Sequence, residues 1–222
     1  MRRIFDDTAV DYDRVERMMA LGSGSWYRRR ALLRAGLAPG MEVLDVAVGT
    51  GLVAREEVAI VGDPRRVVGL DPSLGMLRSA SAPLPIVTVQ GTAERLPFSS
   101  DRFDFVSMGF ALRHMSDLSV VFGELHRVLK PGGRLCILEI TRPRGPVSHF
   151  VVKTYMRGIV PMLAKIVASR RDTAHLMRYY WDTIEACVPP ERVVAGIAEA
   201  GFAGARRTVE LGIFSEYTGT KA

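Results

Sequence analysis

The fold of this chain is decided by residues 43–51, which read VLDVAVGTG. The apolar start of this run predicts a buried strand from Glu42 to Val46, and the spacing that follows predicts a helix from Leu52 to Ile60. A glycine turn between strand and helix lets the backbone approach a ligand closely, and it points the N–H groups of the helix N-terminus at a negative group. The run therefore predicts a loop that binds a nucleotide-type ligand.

This loop differs from the dinucleotide-binding fingerprint G-x-G-x-x-G. Ala47 stands where a glycine would open the turn, and Ala54 stands where the third glycine would be. The spacing D-x-A-x-G-T-G fits instead the shorter loop that holds the methionine moiety of S-adenosylmethionine (SAM). The cofactor residues predicted in this loop are Asp45, Ala47, Gly49, Thr50 and Gly51.

Beyond the loop, short β-rich runs alternate with helical patterns, which predicts a parallel sheet covered by helices on both faces. Further strands are expected at Arg66 to Leu70, Ile86 to Gln90, Phe103 to Met108, Gly133 to Ile140, Ala205 to Leu211 and Ile213 to Tyr217. Further helices are expected at Ser73 to Ser81 and at Asp117 to Lys130, the second ended by Pro131-Gly132-Gly133. The predicted architecture is a Rossmann-like α/β fold with a seven-stranded, mostly parallel sheet and a closing antiparallel strand.

The whole chain, residues 1–222, is expected to form a single domain. Residues 8–36 have helical spacing with a break at positions 22–25, and residues 1–40 are predicted to form an N-terminal helical lid. Residues 41–141 are expected to form the SAM-binding core. Residues 142–200 predict a helical insertion on the substrate side, broken near positions 170–173 and at Pro189-Pro190, and residues 201–222 supply the closing strands.

Two further loops are expected at the same edge of the sheet, because the carboxyl ends of parallel strands meet there. Asp71 ends the second strand, where a carboxylate can accept hydrogen bonds from both ribose hydroxyls. The alternative is that it caps the following helix, and the two roles are compatible. Residues 92–94 follow the third strand, where they can meet an adenine. The cofactor residues predicted outside the glycine loop are Asp71, Pro72, Met76, Thr92, Ala93, Glu94 and Met108.

Five segments then carry a resemblance to a known family. They are LDVAVGTG at 44–51, DPSLGML at 71–77, AERLPF at 93–98, FALRH at 110–114 and RVLKPGGRLCILEIT at 127–141. In this order they resemble class I SAM-dependent methyltransferases of the UbiE type, the C-methyltransferases of ubiquinone and menaquinone synthesis. The resemblance runs from about Phe5 to Gly219, and the last segment is the most specific.

The resemblance implies in-line transfer of a methyl group from the sulfonium of SAM to a nucleophilic atom of a small acceptor. Arg113 resembles the arginine of the family's F-G-[LI]-R-N motif and is expected to stabilise an oxyanion on the acceptor; the alternative is an ion pair with Asp117 or Glu139. His114 stands at the asparagine of that motif, where it is either a general base or a surface or capping residue. Tyr12 is retained from the N-terminal signature and completes the predicted catalytic set.

The acceptor side departs from the family pattern. The N-terminal signature keeps Tyr12-Asp13 but replaces its other positions with Val15-Glu16, Ala20, Gly24 and Tyr27. Residues 212–217 read GIFSEY where the family has G-V-V-A-L-H. The resemblance favours an aromatic or quinol-like acceptor and C-methylation, whereas these departures leave O- or N-methylation of a specialised metabolite or phospholipid amine as an alternative. A second alternative is a non-catalytic scaffold.

Composition limits the other function classes. The chain has 222 residues, of which 48% are hydrophobic and 24% charged, which is typical of a globular protein. Its two cysteines show no disulfide or metal spacing, so we expect no metal and a cytoplasmic location. The net charge is +6, with +5 in residues 142–192. Residues 146–171 are apolar with interspersed basic residues, which suggests an active-site cap or peripheral membrane contact rather than nucleic acid binding.

Overall fold

The computed structural model describes residues 23–82, 84–143 and 187–222, together with positions 145, 150, 152–155 and 158. The strands are β1 (Val43–Val46), β2 (Val67–Asp71), β3 (Val87–Gln90), β4 (Phe103–Gly109), β5 (Leu129–Ile140), β6 (Phe202–Glu210) and β7 (Phe214–Lys221). The α-helices in these ranges are α1 (Gly24–Ala35), α2 (Leu52–Val61), α3 (Leu74–Ser81), α4 (Leu118–Val128) and α5 (Pro190–Glu199). Single 3-10 turns lie at Pro64–Arg66 and Leu112–His114.

The strands form one seven-stranded sheet in the order β3-β2-β1-β4-β5-β7-β6. β1 to β5 run parallel, whereas β7 pairs antiparallel with both β5 and β6. β1 lies between β2 and β4 inside the sheet, and its residues are buried on both sides of the sheet. The predicted Rossmann-like sheet with an antiparallel closing strand is confirmed.

Helices cover both faces of the sheet, because alternate strand residues enter two separate apolar clusters. On one face, residues such as Val43 and Cys136 pack with Ala31 of α1 and Ala54 of α2. On the other face, the neighbouring strand residues pack with α4 and α5, through Val121, Phe122, Leu125, Val193 and Ile197. This is the period-two alternation of a strand that is buried on both sides.

The segment Pro131-Gly132-Gly133 does not end a helix, as the sequence had suggested. α4 ends at Val128, and β5 begins at Leu129 and runs through the segment. The pairing shifts there, since Phe103 faces Leu129 whereas Phe105 faces Arg134. The segment is thus an irregularity inside β5. A Cβ at Gly133 would lie 2.7 Å from the carbonyl oxygen of Lys130, so this tight turn requires a glycine.

The closing strands are longer than expected. β6 begins at Phe202 and β7 ends at Lys221, and the turn between them occupies positions 211–213 instead of Gly212 alone. Gly219 interrupts the apolar pattern but continues the strand, because its place in the sheet is filled by Phe202; a Cβ at Gly219 would approach the Cβ of Phe202 to 2.9 Å. Sequence pattern alone could not show this cross-strand filling.

The flanking segments agree in part with the sequence. α1 begins at Gly24, inside the expected break at 22–25, with Ser23 as its N-cap. α5 begins at Pro190, where the double proline had predicted a break. Tyr12, the remainder of residues 1–22 and most of the segment 146–171 lie outside the described residues. None of the helices among the described residues is long and apolar enough to cross a membrane.

Candidate active site

The glycine loop connects β1 to α2, and every second residue in it from Ala47 to Gly51 has a positive φ angle. Ala47, Gly49 and Gly51 all have positive φ angles, of 59°, 56° and 83°. The N–H of Val48 donates to the carbonyl of Leu70 at 3.0 Å, which fixes the loop against β2. Gly51 is the N-cap of α2, and no side chain caps this helix end. The local geometry therefore combines close backbone approach with an uncapped helix N-terminus, as the sequence predicted.

Asp71 ties this loop to the next connection. One carboxylate oxygen accepts the N–H of Gly49 at 3.0 Å, and the other accepts the N–H of Ser73 at 2.8 Å. The N-cap of α3 is Ser73, whose hydroxyl accepts the N–H of Met76 at 3.1 Å. The alternative that Asp71 itself caps this helix is therefore wrong. Asp71 is 7% exposed and faces the cavity described next.

A cavity of about 330 Å³ lies at the carboxyl ends of β1, β2 and β4. The predicted cofactor residues that line it are Ala47, Gly49, Thr50, Asp71, Pro72, Met76, Thr92, Ala93 and Glu94. Three others lie outside its lining. Asp45 and Met108 are buried within their strands, and Gly51 packs beside Ala80. The structure thus brings together the three loops that the sequence placed at one sheet edge.

Several lining residues were not expected from the sequence. Arg28 of α1 reaches the cavity, and Phe110 and Met115 line it on the side of β4. Phe110 has a φ angle of 59° directly after β4. It lies in the FALRH segment, so the resemblance of that segment to the family motif could have identified Phe110 as a site residue. Arg28 had no such signal, because its position depends on how α1 packs on the sheet.

Two buried carboxylates lie beneath the loop. The hydroxyl of Ser107 lies 2.5 Å from an oxygen of Glu57 and 3.3 Å from an oxygen of Asp45. The second oxygen of each carboxylate is buried and has no hydrogen-bond partner among the described residues. Burial raises the pKa of Asp45 well above its ordinary value, and the charge of Glu57 adds to this. Burial raises the pKa of Glu57 as well.

Arg113 and His114 follow β4 but occupy different environments. The Arg113 guanidinium pairs with the carboxylate of Glu139, and the two side chains are 1% and 0% exposed. The other partner considered, Asp117, instead caps α4 by accepting the N–H of Ser119 at 2.9 Å. His114 lines the cavity, and Arg113 does not.

His114 carries no charge at neutral pH. Burial, together with the smaller effect of the neighbouring Arg113 charge, lowers its pKa to about 4. A neutral imidazole can accept a proton, so the residue that reaches the cavity is also the one in a proton-accepting form. Arg113 lies behind it, with its charge offset by Glu139.

The sequence matches one known family over almost its full length. The model of the ubiE/COQ5 methyltransferase family matches residues 1–221. The chain belongs to the ubiE/COQ5 methyltransferase family. The resemblance carried by its motifs is confirmed, and the protein is a SAM-dependent methyltransferase.

Curated members of the ubiE/COQ5 family are similar over almost the whole chain. A ubiquinone/menaquinone biosynthesis C-methyltransferase UbiE from Hahella chejuensis is 30% identical, over 99% of this chain and 90% of its own length. A demethylmenaquinone methyltransferase from Mycolicibacterium paratuberculosis is 34% identical, over 91% of this chain and 85% of its own length. A second demethylmenaquinone methyltransferase, from Corynebacterium urealyticum, is 34% identical over 98% and 92%.

Solved structures show the same fold at lower sequence identity. A SAM-dependent methyltransferase from Thermotoga maritima, described as a possible histamine N-methyltransferase, superposes with a TM-score of 0.69 at 19% identity and covers 99% of both chains. One from Aquifex aeolicus gives a TM-score of 0.67 at 19% identity, over 95% of this chain and 98% of its own. At this identity the likeness concerns the fold alone.

The residues of the cavity fit the cofactor of this family. The Thr50 hydroxyl is buried in the cavity wall and has no hydrogen-bond partner among the described residues, so it is available to a polar ligand. Asp71 supplies a carboxylate that suits ribose hydroxyls. Apolar side chains such as Met76 and Leu70 line the space between these polar groups. This mixture of apolar wall and few polar groups suits a nucleoside.

Proposed function

We propose that this methyltransferase places a methyl group on a ring carbon of a quinol-like, hydrophobic acceptor. The relatives described above are named for C-methylation in ubiquinone and menaquinone synthesis and for methylation of demethylmenaquinone. The observation that carries the proposal is the position of neutral His114 in a wall that it shares with the apolar side chains of Phe110, Ala111 and Met115. A flat aromatic ring that carries an ionisable hydroxyl matches such a wall.

The cofactor residues have separate tasks in this proposal. Asp71 binds the ribose, Thr92 to Glu94 surround the adenine, and the loop of Ala47, Gly49 and Thr50 receives the amino-acid part. Asp45 and Met108 support this floor from within β1 and β4, and Gly51 starts α2 beneath it. When bound, SAM supplies a methyl group that its sulfonium has already activated. The protein's contribution is therefore to orient the acceptor, exclude water and make the acceptor nucleophilic.

Proton removal is the task of His114. A phenolic hydroxyl that loses its proton to the imidazole pushes electron density into the ring, which makes a ring carbon nucleophilic. Arg113 lies next to His114 in the chain and behind the cavity wall. Its guanidinium helps to keep the imidazole neutral before proton transfer, and Glu139 holds that guanidinium in place. Tyr12 contributes from the N-terminal lid on the acceptor side.

The segments that flank the core enclose the acceptor in this proposal. Residues 1–40 act as the lid and residues 142–200 as the substrate-side insertion of a single domain. The charge of +5 in residues 142–192 suits peripheral contact with an anionic membrane, from which a hydrophobic quinol could enter. Sedimentation with vesicles, with and without anionic lipid, tests this contact. If the protein sediments equally with neutral and with anionic vesicles, the proposed electrostatic contribution of residues 142–192 to membrane contact is wrong.

The acceptor class is tested by turnover with chemically reduced demethylmenaquinone, simple phenols and lipid amines. Products are identified by mass spectrometry, and the methylated atom by NMR. We expect methyl transfer to a ring carbon of the quinol and no transfer to the amines. Methylation on oxygen or nitrogen, or turnover of amines alone, would contradict the proposal. Oxidised quinone serves as the control, because it offers no hydroxyl proton for His114 to remove.

A further inference from the structure

Arg28 is a buried cation in the wall of the cofactor cavity. It lies on α1 between Tyr27 and the buried Ala31, and it is 5% exposed. It lines the same cavity as Gly49 and Asp71. An arginine so far from water requires an anionic or hydrogen-bonding environment, because desolvation of a charged group is unfavourable.

The position of α1 shows from which side Arg28 enters. Tyr27 stacks on Phe214 of β7 with ring centroids 4.4 Å apart. Further along α1, Arg34 donates to Glu216 of β7 at 2.6 and 2.9 Å. Because β7 pairs with β5, α1 lies over the β5 and β7 side of the sheet. Arg28 therefore approaches the cavity from the side away from β3.

The order of the strands gives the orientation of the ligand. Thr92 to Glu94 follow the edge strand β3, Asp71 ends β2, the glycine loop follows β1, and Gly109 ends β4. A nucleoside with its ribose at Asp71 and its base near Ala93 extends the rest of the molecule towards β1 and β4. The amino-acid end of SAM then lies on the side that Arg28 enters.

The charged side chains of the cavity wall are also divided between the β2 and β3 side and the side that Arg28 enters. Two carboxylates, Asp71 and Glu94, lie on the β2 and β3 side. His114 lies after β4 and is neutral at pH 7, since burial lowers its pKa to about 4. Among the described residues that line the cavity, Arg28 is thus the single group with a positive charge at that pH. The amino-acid end of SAM carries a carboxylate, and guanidinium is the side chain best shaped to bind one with two parallel hydrogen bonds.

We propose that Arg28 binds the carboxylate of the methionine part of SAM and so fixes the position of the sulfonium. This inference rests on the proposed placement of the ribose at Asp71. It gives α1 a direct part in cofactor selection in addition to its packing on the sheet. It also predicts that ligands without the carboxylate bind less tightly because of this one residue.

The test compares SAM with decarboxylated SAM, which keeps the adenosine, the sulfonium and the amine. Both ligands are titrated by calorimetry into the wild-type chain, Arg28→Met and Arg28→Lys. A charge-assisted carboxylate contact makes the wild type bind SAM roughly 10- to 100-fold more tightly than the decarboxylated ligand. Arg28→Met should lose most of this preference, and Arg28→Lys should keep part of it. Arg29→Met, an exposed neighbour that lies 3.9 Å from Glu56, should keep all of it.

Three results would overturn the inference. The first is an unchanged preference in Arg28→Met, and the second is an equal loss of affinity for both ligands, which would indicate a general change in the site. The third is unchanged binding of both ligands with a raised KM for the acceptor, which would place Arg28 at the acceptor. Asp71→Ala separates the two proposals: if it leaves SAM affinity unchanged, the ribose placement fails, whereas loss in Asp71→Ala without loss in Arg28→Met contradicts only the role of Arg28.

Discussion

The carboxylate of Asp71 accepts the backbone N–H of Gly49 at 3.0 Å, so the residue proposed to bind the ribose also holds the glycine loop. Asp71→Ala should therefore weaken SAM binding by roughly tenfold or more and lower stability by about 1–3 kcal/mol. Asp71→Asn keeps one oxygen acceptor, so its SAM affinity and its stability should lie between those of the wild type and Asp71→Ala. Calorimetry with SAM and urea denaturation measure the two effects. Asp63→Ala, which removes a half-buried carboxylate paired with Arg65, should leave SAM affinity unchanged.

The buried carboxylate of Glu57 makes stability depend on pH. Burial raises its folded pKa from an ordinary value of 4.5 to about 7. Since the folded chain holds the proton more tightly than the unfolded chain, this group favours folding at low pH, and stability falls as pH rises through that window. The slope is at most about 1.4 kcal/mol per pH unit for one proton. Glu57→Gln should remove the part of the slope that Glu57 contributes and stabilise the protein near pH 8, while Asp45, whose pKa is also raised by burial, keeps its own part.

Urea midpoints measured from about pH 5 to pH 8 check this prediction. Glu56→Gln is the matched control, because it changes the neighbouring residue, whose carboxylate contacts Ser25 and Arg29 at the surface. Ser107→Ala removes the hydroxyl that donates to Glu57 at 2.5 Å and should raise the pKa of Glu57 further, which extends the fall in stability to higher pH. An identical slope in the wild type and Glu57→Gln would show that Glu57 is not the responsible group.

Arg113 and Glu139 form a buried pair, so removing one partner should cost more stability than the pair itself contributes. Glu139→Gln and Arg113→Met each leave a buried charge without its counter-charge and should destabilise the fold by about 3–5 kcal/mol. The double variant, which combines Arg113→Met with Glu139→Gln, carries neither charge and should lose less than the sum of the two single losses. Denaturation of the four chains measures the coupling. Additive losses would show that the two side chains do not depend on each other.

His114→Ala should lower kcat roughly 10²- to 10⁴-fold, the usual contribution of a general base, and leave the affinity for SAM within about twofold. Since the imidazole is already neutral at pH 7, the activity of the wild type should not decline between about pH 7 and pH 5.5 through this group. The pH profile of kcat/KM and calorimetry with SAM provide the measurements. Parallel losses of kcat and SAM affinity would indicate a structural effect instead.

The glycine loop and Asp71 could be predicted from the sequence, because local backbone structure determines where they lie. The loop at 47–51 depends on residues adjacent in the chain, and Asp71 follows a strand whose end is fixed by the parallel sheet. Arg28 belongs to a helix that packs on β5 and β7, and its neighbour Tyr27 is a position at which the N-terminal signature is replaced, so that motif does not indicate the cavity. Sequence patterns predict local turns and strand ends, whereas wall residues contributed by a distant element require the assembled fold.

The contacts among the buried side chains of Asp45, Glu57 and Ser107 could not be predicted from the sequence for the same reason. Asp45 was expected at the cofactor because it begins the motif, but it is 1% exposed and shares Ser107 with Glu57. Glu57 looked like an ordinary polar position in a helix. Its 50-residue separation from Ser107 hides the contact until β1, β4 and α2 are assembled. In the same way, the sequence left open whether Arg113 pairs with Asp117 or with Glu139, and only the assembled fold shows that the partner is Glu139.

The position of β7 has a consequence for how the chain folds. β7 follows β6 in the sequence, yet it lies between β5 and β6 in the sheet. β6 has no neighbour in the sheet of the described residues other than β7, so it cannot join the sheet on its own. The hairpin of β6 and β7 must therefore form first, or β7 must add to β5 while β6 is still unpaired. Until β7 is added, the edge of β5 is open, and this open edge is where intermolecular strand pairing can begin during refolding.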